Sequence, residues 1–355
     1  MSTDTQSSRA GVLTVRQGVW VIGTLLVGVL FVHGIGVRRV QDAILTADTE
    51  TVAAVVGVAL LVLVLRGIAL GVLLDILGYP VPTHRIVSVY AVTMVVSTVV
   101  PGGRTGGAPV NGHVVARAAD ADYEDGVVAV VIASLLSNLA IGAFGLCGVV
   151  YLFVTSSGGT VTQVATVAIC LFGFAVLGAV GLWRIRARVY VKTVAGVVRI
   201  TRVAGRLPYV PSPGREAVER RASALADAVA RLQEGSHRQV AVVGTLFAVA
   251  HGLTVVALWL SFLAVDQAVP PGVLLAVIPV AVVTAVVPTP GGFGGVDVAL
   301  VGLLTAGTAA IAPVAGAAVL VYRTATSGPA LLVGAPVILA MGVFGWFTAS
   351  GDDGK

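Results

Sequence analysis

The chain has 355 residues, of which 57% are hydrophobic and 11% charged, with a formal net charge of +5 and a mean hydropathy of +0.99. A soluble core of this size cannot hide so much apolar surface, so the composition excludes a water-soluble globular protein and sets the chain among membrane proteins. Only Lys192 and Lys355 of the 22 basic residues are lysine, a bias that, with abundant Val, Ala and Gly, points to a GC-rich, archaeal source.

The opening MSTDTQSSRAGVLTVRQG is polar and lacks a small-residue cleavage site, and residues 1–16 read as a retained cytosolic tail. Apolar stretches at about 18–37, 52–74, 127–154, 161–183 and 239–265 reach the roughly 18 to 20 residues that a membrane-crossing helix needs. The expected fold is therefore all-α, a polytopic transmembrane bundle forming a single domain over 17–348, closed by a tail at 349–355. Cys147 and Cys170 fall inside spans without metal-ligand or redox spacing and are expected to be small packing residues.

The second span carries Arg66 within LLVLVLRGIALGVLL and ends near Asp75, which reads as interfacial. An arginine at a helix centre costs roughly 2.5–3.5 kcal/mol on insertion scales, so Arg66 is expected to face a polar interior and a partner. The next apolar run is only about 15 to 17 residues long and breaks at VVPGGRTGG (99–107). Pro101 ends a helical hydrogen-bond ladder, while Gly102, Gly103, Gly106 and Gly107 permit close backbone approach. Arg104 lies inside this turn, and Asn111, His113 and Arg117 follow it.

Segment 184–238 carries twelve Arg and Lys against four Asp and Glu, with Arg184, Arg188, Lys192, Arg199, Arg202 and Arg206 along one helical face. Val218, Ala222, Leu225, Val229 and Leu232 form an apolar seam further on. Two readings remain open, a positive-inside anchor and a basic interfacial helix that gathers anionic lipid, and both place the segment in the cytoplasm.

A second break, VVPTPGGFGG (286–295), follows the last of the long spans. Pro290 with Gly291, Gly292, Gly294 and Gly295 repeats the chemistry of the first break, then Asp297 follows, and Arg323 lies in the apolar AVLVYRTATSG. Asp297 could pair with an arginine as a gate, carry a proton, or cap the helix that begins there. His33 and His251 are expected to be packing histidines. The alignment of AVTMVVSTVVPGGRTGG with PVAVVTAVVPTPGGFGG indicates an internal repeat, over about 52–154 and 239–347. Three spans between the motifs invert the second copy if both broken segments turn back; if the first crosses fully, the copies are parallel.

Broken backbone in hydrocarbon leaves N–H and C=O groups unanswered at several kcal/mol each, so it implies a cavity whose freed N–H groups and helix N-termini suit a phosphate. The competing reading is tight helix packing through small residues, which explains single glycines better than Pro-Gly-Gly placed twice.

PGGRTGGAPVNGHVVARAADADYEDGVVAVVIASLL and PTPGGFGGVDVALVGLLTAGTAAIAPVAGAAVLVYRTATSGPALLVG resemble the two signatures of the lysylphosphatidylglycerol synthase transmembrane-region family, the second ending in a Tyr-Arg span. The resemblance covers about residues 15–345. It implies a polyisoprenoid-phosphate or phospholipid translocase, or a membrane partner of lipid glycosylation. The chain departs from the family pattern in its first turn, where Gly107 or Ala108 replaces Glu, in Asp297 for Glu, and in Ser134, Ser137 and Asn138 where charge is usual. Ser134 aligns with Arg323, so a symmetric two-arginine relay is in doubt.

The expected function is translocation of an anionic lipid, with Arg66, Arg104 and Arg323 and the amides of Gly102, Gly103, Gly106, Gly291, Gly292 and Gly294 holding the phosphate, and Asp297, Asn111, His113, Arg117 and Tyr322 coupling or gating. No catalytic residue, metal or cofactor is expected. Alternatives are a membrane-embedded transferase on a lipid phosphate and an accessory subunit that scaffolds a partner through the 215–233 seam. Expected partners are an anionic phospholipid or polyprenyl-phosphate lipid, a glycosyltransferase or lipid synthase, and a second copy of the chain; none is nucleic acid.

Overall fold

The computed structural model describes residues 45–99, 107–155, 236–283 and 295–340, with Ser223, Asp227, Ala228, Ala230 and Arg231 between them. The first and fourth expected spans, both Pro-Gly turns with Arg104, Gly102, Gly103, Gly106, Gly291, Gly292 and Gly294, His33, Cys170 and most of 184–238 lie outside the described residues.

The described residues form eight helices: α1 (Thr49–Ile76), α2 (Thr83–Val99), α3 (Ala108–Ala119), α4 (Tyr123–Thr155), α5 (His237–Leu263), α6 (Pro271–Val283), α7 (Gly295–Gly307) and α8 (Ala312–Ala340). α1, α4 and α5 are long and apolar enough to cross a bilayer, where the sequence places spans. The described parts of α2 and α6 are 17 and 13 residues long and run up to the edge of the described residues. Large apolar side chains such as Leu61, Leu146, Val150, Phe153, Val249 and Leu332 are exposed along the bundle, as an integral membrane protein requires.

Capping fixes where the long helices begin. The Asp48 carboxylate accepts from the Thr51 amide at 3.0 Å, and Ser236 forms a capping box with Gln239 at the head of α5. The residues that follow each helix match as well, with positive φ at Gly78 (94°) after α1 and at Asp266 (55°) after α5. α1 packs most extensively on α5. The two run antiparallel: the Asp48 amide donates to the Ala264 carbonyl at 2.9 Å, and Leu70, Leu73 and Leu74 near the end of α1 share a core cluster with Val243 and Phe247 near the start of α5.

Around this pair, α2 packs on α8 and α4 on α6; α1 packs on α8 and α4 on α5. Within the first four helices the neighbours are α1–α2, α2–α3, α3–α4 and α1–α4, and within the last four α5–α6, α6–α7, α7–α8 and α5–α8. In lipid the hydrophobic effect does not drive helices together, so close crossings depend on small residues that let backbones touch. At α3–α4 a Cβ on Gly112 would lie 2.8 Å from the Val127 Cα, and one on Gly126 would meet the Gly112 carbonyl and lie 2.9 Å from the Ala116 amide nitrogen. At α4–α6 a Cβ on Gly148 would lie 2.8 Å from the Ala276 Cα, and at α2–α8 one on Gly334 would lie 2.9 Å from the Ala91 carbonyl oxygen.

Cys147, expected to pack, is exposed on α4; a small thiol can face lipid as readily as protein, and apolar sequence does not separate the two. Gly126→Ala should destabilise the purified protein by about 1–3 kcal/mol through backbone overlap. Gly57→Ala, on α1 with nothing within 4 Å of the new methyl, should be neutral or stabilising by up to about 1 kcal/mol. Thermal unfolding in detergent checks the contrast, and equal effects from both changes would refute the close crossing.

Candidate functional site

α7 starts directly after the second Pro-Gly turn, and Asp297 lies in its first turn, 5% exposed. Its carboxylate accepts from Arg323 Nε on α8, and the side chains of Arg323 and Asp297 are 23% and 8% exposed. The pair joins the short helix to its long neighbour inside the bundle. Each charge cancels a desolvation penalty that the other would otherwise leave uncompensated.

Arg66, on α1, donates from Nη2 to the Thr254 hydroxyl on α5 at 3.3 Å. That hydroxyl donates in turn to the Ala250 carbonyl at 2.8 Å. Arg66 and Thr254 are each the eighteenth residue of their helices, so the contact sits midway along the antiparallel α1–α5 pair. His251, one turn earlier on α5, is 3% exposed and meets Phe144 edge-on with ring centroids 5.3 Å apart. It packs as expected, but its Nε2 finds no hydrogen-bond partner among the described residues. Tyr322, next to Arg323, packs against the small cluster of Val55, Ala257 and Ala325, which joins α1, α5 and α8.

Asn111 is buried at the start of α3 and donates from Nδ2 to the Ser97 hydroxyl on α2 at 2.9 Å, a bond that joins the two helices. His113 and Arg117 do not share this interior. Both are exposed on the outer face of α3, with the His113 ring 6.3 Å from that of Tyr123, because their four-residue spacing puts them on the face opposite to buried Val114, Val115 and Ala118. Asp75 is exposed at the end of α1, as an interfacial residue should be.

A second buried carboxylate has no forerunner in the sequence reading. Asp125 is 0% exposed, accepts from the Tyr79 hydroxyl at 2.9 Å and pairs with Arg231. It ties the α1–α2 connection, the head of α4 and the end of the basic segment together, and Ala228 is fully buried in the same core. Among the acidic residues of ADADYEDG, Asp125 alone shares a helical face with buried Val128, Ala129, Ile132 and Ala133, and that register was the available signal. Burial, and then the hydrogen bond to Asp125, push the Tyr79 phenol above its usual range. The same carboxylate raises the Arg231 guanidinium further still.

Residues 12–334 match the profile of the lysylphosphatidylglycerol synthase transmembrane region, and the chain belongs to that flippase-like family of integral membrane proteins. No curated protein is similar enough to count as a match.

Two outcomes follow from the buried pairs. Asp297→Ala alone should cost about 3 kcal/mol because it strands Arg323, and Asp297→Ala with Arg323→Met should cost less than either change alone; a double-mutant cycle on thermal unfolding measures this, and simple additivity would contradict the pairing. A raised phenol stabilises the folded state fully below the unfolded value of about 10 and loses that contribution as pH climbs through the folded value. Tyr79→Phe should therefore flatten the loss of stability between pH 9 and 11, and an alkaline slope like that of the wild type would count against the buried contact.

Proposed function

Taking family membership as the premise, we propose that this protein translocates an anionic lipid through a polar interior between two halves, α1–α4 and α5–α8, that are inverted copies of each other. The observation that carries the reading is the pair of guanidiniums held inside an apolar bundle, Arg323 on Asp297 and Arg66 on Thr254. Cations placed at membrane depth, each with a replaceable partner, suit a bidentate phosphate that enters and leaves.

Several features support the inverted repeat. The packing pairs named above are unchanged as a set when α1–α4 and α5–α8 are exchanged in order. A two-fold axis in the membrane plane turns a helix antiparallel to its copy, and α1 runs antiparallel to α5. Such an axis also makes a contact between a residue and its own counterpart symmetric about it, as where Arg66 meets Thr254. Positions away from the axis come in matched pairs: Val55 with Ala257 in one cluster, Ala69 with Val243 in another, all four fully buried.

In this mechanism the lipid chains stay in the bilayer while the headgroup phosphate competes with Asp297 for Arg323, and Asp297 reclaims the arginine on release. Rocking of one half against the other exposes the site to each side in turn. No covalent step is assigned. The basic segment lies on the cytoplasmic side by the positive-inside rule. The scaffold alternative draws less support, since Ala228 is buried against the protein's own core and Arg231 is engaged by Asp125, which occupies part of that face.

Headgroup transfer in reconstituted vesicles tests the proposal. Compared at equal amounts of folded protein, Arg323→Ala and Arg66→Ala should each slow transfer of an anionic phospholipid by at least about tenfold, the loss of one charge-assisted contact. Full transfer rates in both variants would remove the proposed role of the arginines.

A further inference from the structure

We propose that the first half carries a hydroxyl-recognising subsite at Asn111, which complements the phosphate clamp at Arg323 in the second half. The inference deepens the translocase reading and rests on it for the ligand, but it starts from a separate observation: a buried amide with an unanswered atom.

Asn111 is 3% exposed. Its backbone N–H donates to the Gly107 carbonyl at 2.8 Å, which starts α3 immediately after the first Pro-Gly turn. Its Nδ2 donates to Ser97 Oγ at 2.9 Å, Ser97 donates to the Thr93 carbonyl at 2.7 Å, and Thr93 donates to the Tyr90 carbonyl at 2.8 Å. Every proton in this chain runs into α2. The Asn111 Oδ1 is left with no hydrogen-bond partner among the described residues, in a setting where an unanswered polar atom is costly. Turning the amide over exchanges an unanswered acceptor for an unanswered donor at the same place.

The second half shows what the missing partner replaces. Asp297 also sits in the first turn of a short helix that follows a Pro-Gly turn, and it is also buried, but Arg323 answers it. Arg323 is the twelfth residue of α8, and the twelfth residue of α4 is Ser134, whose hydroxyl donates to the Val130 carbonyl of its own helix at 2.9 Å. The first half has serine in the register of Arg323 and, at the fourth residue of α3 against the third of α7, the neutral amide of Asn111 near where the second half has its carboxylate. The cation and the anion are absent together, which leaves that half neutral with one polar atom open.

A ligand that satisfies both halves carries a phosphate at one end and a small hydrogen-bonding group at the other. An ammonium suits Asn111 poorly: it can only donate, and a neutral amide does not offset the cost of burying its charge. A hydroxyl both donates and accepts, so it fits either orientation of the amide and brings no charge. The substrate class is thus an anionic lipid whose headgroup bears free hydroxyls, such as a sugar, polyol or cyclitol phosphate. Asn111 is shut away in this state, as Asp297 is, so one rocking motion reaches both.

The test is lipid-dependent thermal stabilisation of the full-length protein in detergent, which needs no transport. The probes are short-chain phosphatidylinositol, phosphatidylmethanol, which has the same charge and no hydroxyl, and phosphatidylethanolamine, which offers an ammonium. Wild type should bind phosphatidylinositol about tenfold more tightly than phosphatidylmethanol, because a site built around a hydroxyl rejects an analogue that lacks it. Asn111→Ala should weaken phosphatidylinositol and bring the ratio close to one. Should that variant not fold, Asn111→Leu, which keeps the volume and removes both polar atoms, should also abolish the preference. A ratio that persists in either variant, or tightest binding of phosphatidylethanolamine, overturns the subsite. Loss of all phosphatidylmethanol binding in Arg323→Ala supports the phosphate clamp, and its retention sinks the clamp whatever the ratio at Asn111 shows.

Discussion

The ion pair between Asp297 and Arg323 is the constraint around which the second half of the bundle is arranged. In a low-dielectric interior neither charge can stay alone, and the attraction repays desolvation only where geometry is held. α7 must therefore start where its first turn meets the middle of α8, which makes the place where that helix begins as important as its sequence. In the proposed mechanism a phosphate enters this site by exchange, replacing the carboxylate on a guanidinium already in place. The protein keeps the site charged without leaving a bare cation in the membrane.

Packing supplies the rigidity that this exchange needs. Hydrocarbon competes equally for apolar side chains, so helices adhere through dispersion and close backbone contact. The glycine crossings at α3–α4, α4–α6 and α2–α8 clamp α3, α6 and α2 each to a long helix, while the α1–α5 pair at the centre holds Arg66 against Thr254. At the other end Asp125 gathers Tyr79 and Arg231, so Arg231 is held against the bundle. In the proposed mechanism, motion between halves takes place at the central pair, and each half moves as a unit.

Much of this was legible in the sequence and some was not, for physical reasons. Three spans could be read from apolar length alone, since a run such as 52–74 has no other stable home. Arg66 and Arg323 stood out because arginine is expensive there, and each has a partner, Asp297 being one the sequence had named. Faces were harder to read. A helix that touches lipid on one side and protein on the other is apolar all round, so periodicity carries no direction; Cys147 was placed inside and lies outside, and Arg117 and His113 were placed at the site and lie on an outer face. Thr254 and Asp125 were invisible for a related reason: a threonine is unremarked in an apolar span, and one buried aspartate among several acids at a helix start reads as solvated.

The most direct measurement of the central claim is an electron cryo-microscopy structure in lipid nanodiscs that contain an anionic phospholipid with a free hydroxyl headgroup. The account predicts phosphate density inside the bundle, within about 4 Å of the Arg323 guanidinium, with Asp297 drawn away from it and Arg66 lining the same space. Phosphate density confined to the outer rim, with the Asp297–Arg323 pair closed in every class of particles, would contradict it.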